Sequence, residues 1–258
     1  MQEDSGLINL NIIMKSSNNK KHSWTKKQAQ SASVPNFGKK YIGEPELFKM
    51  IGSVKNKKIL ELGSGNGYWL ELLTKRGAEC TGIEISEEQL KIAKQSNPEI
   101  SYIQGDITKL YKYKLEQNTY DIIFLEHVLL EISSIEKIKS TMKESYKLLK
   151  KSGIIVVSEL HPFAPSAKPG NIRAPKDYNY FSSGSIIEIV SKRVDGGETV
   201  YRDFHWTLSD LSGSLTQAGL HIIEITEPRP SLKLAEKYPE LSYRHTVPMS
   251  FWVKAIKP

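Results

Sequence analysis

The sequence predicts an α/β fold built on a mostly parallel sheet with helices on both faces, and three observations point there. Residues 59–68 read Ile-Leu-Glu-Leu-Gly-Ser-Gly-Asn-Gly-Tyr, an apolar strand that runs into glycines at alternate positions and then into a helix-patterned stretch. Strand-length apolar runs then alternate with helix-length amphipathic ones, apart from one interruption at 162–206. The runs at 120–125 and 154–159 are apolar without a break, as parallel strands covered on both faces must be.

Each element follows in order. Residues 46–51 suit a helix leading into the first strand. Alternating Gly63, Gly65 and Gly67 allow a sharp turn and a close approach to a ligand with no Cβ between, while the free N–H groups of the next helix face back toward that turn. Trp69, Leu70, Leu72 and Leu73 give that helix an apolar face, and Gly77 suits its end. A second strand over 79–85 carries Cys80 as a small core residue. Ser86-Glu87-Glu88-Gln89 has the form of a capping box, and Asn97-Pro98 stops the helix it opens.

A third strand over 101–104 runs into Gly105-Asp106-Ile107, and the fourth, over 120–125, ends in Glu126-His127. Ser133-Ser134-Ile135-Glu136 reads as a further capping box, with Ile135, Ile138, Met142, Tyr146 and Leu149 on one helical face. The fifth strand, 154–159, is followed by Leu160-His161-Pro162-Phe163. Within 162–206, Pro162, Pro165, Pro169 and Pro175 mark a long loop, and Tyr178, Tyr180 and Phe181 form an aromatic cluster. Residues 185–191 and 199–206 then alternate as two strands about Asp195-Gly196-Gly197. By strand parity Tyr201, Asp203 and His205 share one face, and Arg202, Phe204 and Trp206 the other. An insertion of that length beside a sheet edge is expected to be a lid or a pocket wall. Thr207 suits the cap of a helix with Leu208, Leu211, Leu215 and Ala218 on one face, and strands at 221–225 and 248–256 complete the sheet. The turn-rich segments 227–230 and 244–248 are expected to rim a pocket.

Composition narrows the function. The chain has 258 residues, 39% apolar and 25% charged, enough for one large α/β domain with an insertion. No apolar run reaches membrane-spanning length, and the first residues lack the basic region of a signal peptide, so a soluble cytoplasmic protein with no membrane partner is expected. A single cysteine excludes an internal disulfide and a cysteine-based zinc site. The net charge of +7 lies wholly in residues 1–58, which hold eleven lysines against Glu3, Asp4, Glu44 and Glu46. That leader can attract an anionic substrate or RNA, but its lysines are scattered and lack the arginine and aromatic interleaving of nucleic-acid surfaces, which favours a solvated, partly disordered arm. The apolar patch at 7–14 suits either a short helix or a disordered segment, and Trp24, Phe37 and Tyr41 follow it.

The ligand is indicated by departures from the dinucleotide pattern. That fingerprint places its third glycine three positions after the second, whereas here Gly67 follows Gly65 by two. Glu61, two residues before the first glycine, would repel a pyrophosphate and attract an ammonium group, which favours an amino-acid-bearing nucleoside. Glu84 stands 21 positions after Gly63, because strand, turn, helix and returning strand consume about 20 residues, and there an acid accepts hydrogen bonds from ribose hydroxyls. Asp106, at the end of the third strand, suits an exocyclic amine.

With these residues the chain resembles the class I S-adenosylmethionine-dependent methyltransferases, whose first motif is an acid followed by Gly-x-Gly-x-Gly. Glu61, Gly63, Gly65 and Gly67 match it position by position, and Asp106 falls where that family reads the adenine N6 group. The resemblance, from about residue 58 to the end, implies a Rossmann-like seven-stranded sheet with an antiparallel last strand. It also implies S-adenosyl-L-methionine as cofactor, held by Tyr41, Glu61, Gly63, Ser64, Gly65, Glu84, Ile85, Asp106, Ile107, Leu125 and Glu126. In that family an N-terminal arm closes over the cofactor, so a basic arm over 1–44 and a catalytic domain over 45–258, with its lid at 162–206, are expected.

Methyl transfer to an amine or hydroxyl needs a base, and His127, His161 and His205 are the candidates. His161 and His205 come first, one at a strand end and the other two residues from Asp203, which is placed to orient it, although each also suits a structural or substrate-positioning role. Three functions remain open. The leading one is a methyltransferase acting on an O, N or C atom of a small molecule, as a monomer or homodimer. RNA methylation is favoured by the basic arm but opposed by Leu-Glu-His-Val after the fourth strand, where an Asn-Pro-Pro-Tyr-type motif would serve exocyclic amines. The third is a cofactor-binding scaffold without catalysis, with a nicotinamide oxidoreductase further off.

Overall fold

A computed structural model describes residues 26, 29–30, 35–167, 172–192 and 197–258. The patch at 7–14, Trp24, Pro169 and the hairpin tip at 195–196 lie outside the described residues. In chain order, α1 (Glu44–Ile51) leads into β1 (Lys58–Leu62), α2 (Tyr68–Thr74), β2 (Glu79–Glu84), α3 (Glu87–Ser96) and β3 (Ser101–Gln104). There follow β4 (Tyr120–Glu126), α4 (Ile135–Leu148) and β5 (Leu149–Leu160), and then the strands of the insertion, β6 (Ile172–Arg173), β7 (Ile186–Lys192) and β8 (Glu198–Phe204). The chain returns through α5 (Leu208–Gln217), β9 (His221–Thr226) and α6 (Leu232–Lys237) to β10 (Ser250–Ile256).

The seven-stranded sheet runs β3-β2-β1-β4-β5-β10-β9. Strands β1 to β5 pair in parallel, and β10 is antiparallel to both its neighbours, with Val253 opposite Val157 of β5 and Ile225 of β9. This is the Rossmann-like seven-stranded sheet, with an antiparallel last strand, that the resemblance implies. Helices α1 and α2 cover one face, where Leu47, Met50, Trp69, Leu70 and Leu73 meet Ile59, Ile122, Phe124, Val156 and Trp252. Helices α4 and α5 cover the other through Ile138, Met142, Leu211 and Leu215, against Leu60, Leu62, Ile123, Leu125, Ile155 and Val157. Adjacent Ile59 and Leu60 are both fully buried on opposite faces, which is why the run is apolar rather than alternating. Each such side chain contributes about 1.5–3 kcal/mol by leaving water. Among the described residues no helix is long and apolar enough to cross a membrane.

Local signals hold to different degrees. Thr207 and Asp210 form a full reciprocal capping box at the start of α5. At α3 only half of the box forms: Ser86 Oγ accepts the Gln89 N–H at 3.3 Å, while the Gln89 side chain turns toward a cavity. The box expected at 133–136 is absent, since Ser134 makes no side-chain cap and the Glu136 carboxylate pairs with Lys139 at 3.5 Å. In the insertion β7 and β8 form the expected antiparallel hairpin, with Ile187 opposite Asp203 and Ile189 opposite Tyr201. The two-residue β6 joins its edge and was too short to read in the sequence. The helix α6 and the 3₁₀ turn Pro239–His245, between β9 and β10, were also not foreseen.

Strand order reverses between β1 and β4, so their connections leave in opposite directions and a crevice opens at their carboxyl ends. A helical turn at Lys39–Gly43, continuous with α1, flanks that crevice, and the β7–β8 hairpin roofs it.

Candidate functional site

One cavity lies at this point, and the glycine turn forms one end of it. Gly63, Gly65 and Gly67 take φ values of 78°, 53° and 80°, a region costly for any residue with a Cβ. The Gly63 and Ser64 N–H groups donate to the Ile83 carbonyl at 2.8 and 3.0 Å, which ties the turn to β2. A Cβ on Gly63 would collide with Val128, whereas one on Gly65 would meet nothing within 4 Å, because that residue opens onto the cavity.

Two carboxylates frame the turn. Glu84, at the tip of β2, accepts the Gly65 N–H at 2.9 Å and the Ser86 N–H at 2.8 Å. Burial raises its proton affinity, and these backbone donors oppose the rise. Glu61 is 2% exposed, and its Oε2 is buried without a hydrogen-bond partner. Its pKa is pushed well above the ordinary value by burial, with Glu126 and Glu84 adding to the rise and Lys39 opposing it.

The middle of the cavity is made by the end of β4. Lys39 Nζ lies 3.0 Å from Glu126 Oε2 and sits 5.0 and 5.3 Å from the ring centres of Tyr68 and Trp69. Burial works to raise the Glu126 pKa, but Lys39 and His127 bring it below the usual carboxylate value. His127 has φ of 52° and donates its backbone N–H to the Ser158 carbonyl at 2.8 Å. Its imidazole is held below the usual pKa by desolvation in the cleft and by Lys39 and Arg244, against the pull of Glu126. The turn is held from beneath by Glu159, fully buried on β5, whose Oε1 accepts the Val128 and Leu129 N–H groups at 3.1 and 2.7 Å.

Ile189, Tyr201 and Asp203 line the cavity from the hairpin, Glu131 lines it from the turn Leu129–Glu131, and Arg244 and Met249 line it as well. Burial lifts Asp203 to about 7. Glu131 rises to about 8, first through burial and then through the charges of Asp203 and Glu84.

Of the residues expected at the site, the cavity gathers Glu61, Gly63, Ser64, Gly65, Glu84, Glu126 and His127. Ile85 follows Glu84 with its side chain 46% exposed. Asp106 turns inward on its own chain: Oδ1 accepts the Thr108 N–H and hydroxyl at 2.9 and 2.7 Å, and Oδ2 pairs with Lys109 at 3.0 Å. Ile107 and Leu125 are buried in the core. Tyr41 stacks on Tyr238 with ring centres 4.5 Å apart and does not line the cavity.

His161 does not line it either. Its Nδ1 accepts the Phe163 N–H at 3.1 Å and its Nε2 lies 2.7 Å from Glu227, so both ring nitrogens are engaged in pinning the end of β5 to the segment after β9. His205 is 2% exposed and packs edge-on to Tyr178 and Tyr180, with Nε2 2.7 Å from the Tyr180 carbonyl oxygen. Asp203 does not orient it, because β8 ends at Phe204 and the strand parity that placed the two on one face lapses there. The sequence gives no site role to Lys39, Gln89, Glu131 and Trp252, places Tyr201 and Arg244 only in a pocket wall or rim, and offers Asp203 as a partner of His205 rather than as a cavity residue in its own right. Lys39 adjoins the aromatic arm that was noticed, but no periodicity marks Glu131, which sits in a single turn after a strand.

Chemically, carboxylates at two strand tips suit a ligand rich in hydroxyl and ammonium donors and disfavour phosphate. Comparison with known proteins agrees. Residues 60–157 match a family described as a methyltransferase domain. A crystal structure of a putative S-adenosylmethionine-dependent methyltransferase from Listeria monocytogenes aligns with a TM-score of 0.65 at 24% identity, over 83% of this chain and 96% of that one. An uncharacterized protein of Haemophilus influenzae is 23% identical over 228 residues, 84% of this chain and 87% of its own length. A ubiquinone biosynthesis O-methyltransferase of Bordetella avium is 28% identical over 180 residues, 67% of this chain and 65% of that protein.

Proposed function

Because residues 60–157 form a class I S-adenosylmethionine-dependent methyltransferase domain, we propose that this enzyme transfers a methyl group to a nucleophilic O, N or C atom of a small-molecule metabolite. The observation that supports the acceptor class is the lining of the cavity, which joins the glycine turn to Ile189, Tyr201 and Asp203 of the hairpin in one pocket, so that a small molecule has a place beside the cofactor.

The residues at the near end fit the cofactor. The orphaned Oε2 of Glu61 offers an acceptor to an ammonium group, Glu84 retains lone pairs for a pair of ribose hydroxyls, and Gly65 leaves space where a side chain would stand. Ile85, exposed beside Glu84, offers an apolar surface for a flat base. Bound there, S-adenosyl-L-methionine supplies a methyl group activated by its sulfonium. Glu126 and Lys39 set the charge on one wall of the cavity, and Trp252 on the lining, with the Tyr68 and Trp69 rings beside Lys39, limits water there. Of the three candidate histidines His127 alone lines the cavity, and its depressed pKa keeps it neutral at pH 7, the form that accepts a proton from an acceptor O–H or N–H. Asp203 and Glu131 are the other proton acceptors at hand.

The test is transfer of label from methyl-labelled S-adenosylmethionine into a metabolite extract and, separately, into an RNA extract. Label in a low-mass product supports the reading; label confined to RNA replaces it with RNA methylation.

A further inference from the structure

We infer that the methyl acceptor is an amine, held as its ammonium ion between Asp203 on the roof of the cavity and Glu131 on the turn beneath it. This rests on the reading of the cavity as a methyltransferase site and specifies what enters it beside the cofactor.

The argument begins with charge. Several half-buried acids elsewhere pair with a cation: Glu126 with Lys39, Asp106 with Lys109, Asp121 with Lys150, Glu188 with Arg202. Asp203 and Glu131 are half-buried on the cavity wall, yet among the described residues neither carboxylate makes a hydrogen bond or an ion pair. Only burial shifts Asp203, and the charges acting on Glu131 are the negative ones of Asp203 and Glu84. The cations that line the cavity do not relieve them. Lys39 is engaged by Glu126, and Arg244 lies against the backbone of Gly38 on the side of His127. Two acids on one cavity wall with no cation bonded to either leave room for a positive charge that the chain does not supply, and a cationic ligand fills it.

The rest of the chamber fits an organic cation better than a metal. Among the described residues no group of His, Cys, Asp and Glu is arranged to hold a metal ion. Ile189 and Tyr201, one register pair on the hairpin, form an apolar and aromatic wall beside Asp203 for the carbon skeleton of the amine. The proton balance also closes. An ammonium ion gives one N–H proton to the Asp203 carboxylate, leaving a neutral amine with its lone pair free and a neutral acid, with net charge conserved. Burial favours the neutral form of Asp203, which helps it take that proton.

The test uses the full-length chain and three probes of similar size, benzylamine, benzyl alcohol and benzoate, titrated calorimetrically with and without S-adenosylhomocysteine. Benzylamine is expected to bind at least about tenfold more tightly than the other two, and Asp203→Asn and Glu131→Gln are each expected to weaken it by about tenfold or more. S-adenosylhomocysteine affinity should stay within about twofold in both variants, which also reports that each has folded. Equal binding of amine and alcohol, or amine binding unchanged in both variants, would overturn the inference. So would a loss in both variants of the preference for S-adenosylmethionine over its uncharged homocysteine analogue with amine binding untouched, since the carboxylates would then serve the sulfonium. Binding of S-adenosylhomocysteine without benzylamine sinks the amine and leaves the methyltransferase reading standing. Asp203-dependent binding of benzylamine by a chain that ignores both nucleosides does the reverse.

Discussion

The Lys39 ammonium lies 3.0 Å from the Glu126 carboxylate inside the cavity, an ion pair that joins the N-terminal turn to the end of β4. Side-chain exposures of 22% and 12% place it between a surface bridge and a buried one. Lys39→Met is therefore expected to destabilise the protein by about 1–3 kcal/mol, mostly by leaving Glu126 unpaired. Glu126 is depressed in the folded state, so its contribution is present above the unfolded carboxyl pKa and is lost as pH falls below about 4. Urea denaturation at pH 7 and pH 3.5 should show the variant's deficit shrinking on acidification; a constant deficit would assign the effect to packing on Tyr68 and Trp69.

Asp203 behaves in the opposite sense. Its folded pKa of about 7 exceeds the unfolded value near 3.9, so its contribution is fully present at low pH and is lost as pH rises through 7. Asp203→Asn should melt above the parent protein at pH 8, with the gap closing toward pH 4. Calorimetric melting curves across that range check it, and a variant less stable at pH 8 would refute the burial of an unpaired charge.

Gly65→Arg should remove cofactor binding without unfolding the chain. The new side chain enters the open space of the cavity, and the left-handed φ of 53° adds about 1 kcal/mol of strain. Calorimetric titration with S-adenosylhomocysteine measures it, and retained affinity would move the cofactor away from the glycine turn.

Glu159→Ala is expected to cost about 2–4 kcal/mol, since it orphans the Val128 and Leu129 N–H groups, while Glu159→Gln keeps an acceptor and should cost under half as much. The pair of unfolding free energies decides it; equal losses would mean that the carboxyl does not hold this turn.

Much of the fold was legible because its signals are local. Strand, glycine turn and helix at 59–74 need only a contiguous apolar run and residues that tolerate positive φ, and the unbroken apolar runs of β4 and β5 report burial on both faces directly. The carboxylates at strand tips were legible for a related reason: the length of a strand-helix-strand unit fixes where Glu84 arrives. His161 and His205 show where this reasoning stops. Both were ranked by their place along the chain, and both found partners, Glu227 and the Tyr180 carbonyl, from segments that no spacing rule connects to them.

What the sequence alone determined, then, is the sheet, the glycine turn and the acids beside it, because hydrophobic period and backbone permissiveness act over a few residues. The tertiary structure decided which charges remain unmatched. It brought Lys39 to Glu126 across 87 residues of chain and set Asp203 over Glu131 with no counter-ion among the described residues, since pairing and desolvation depend on which surfaces meet in space.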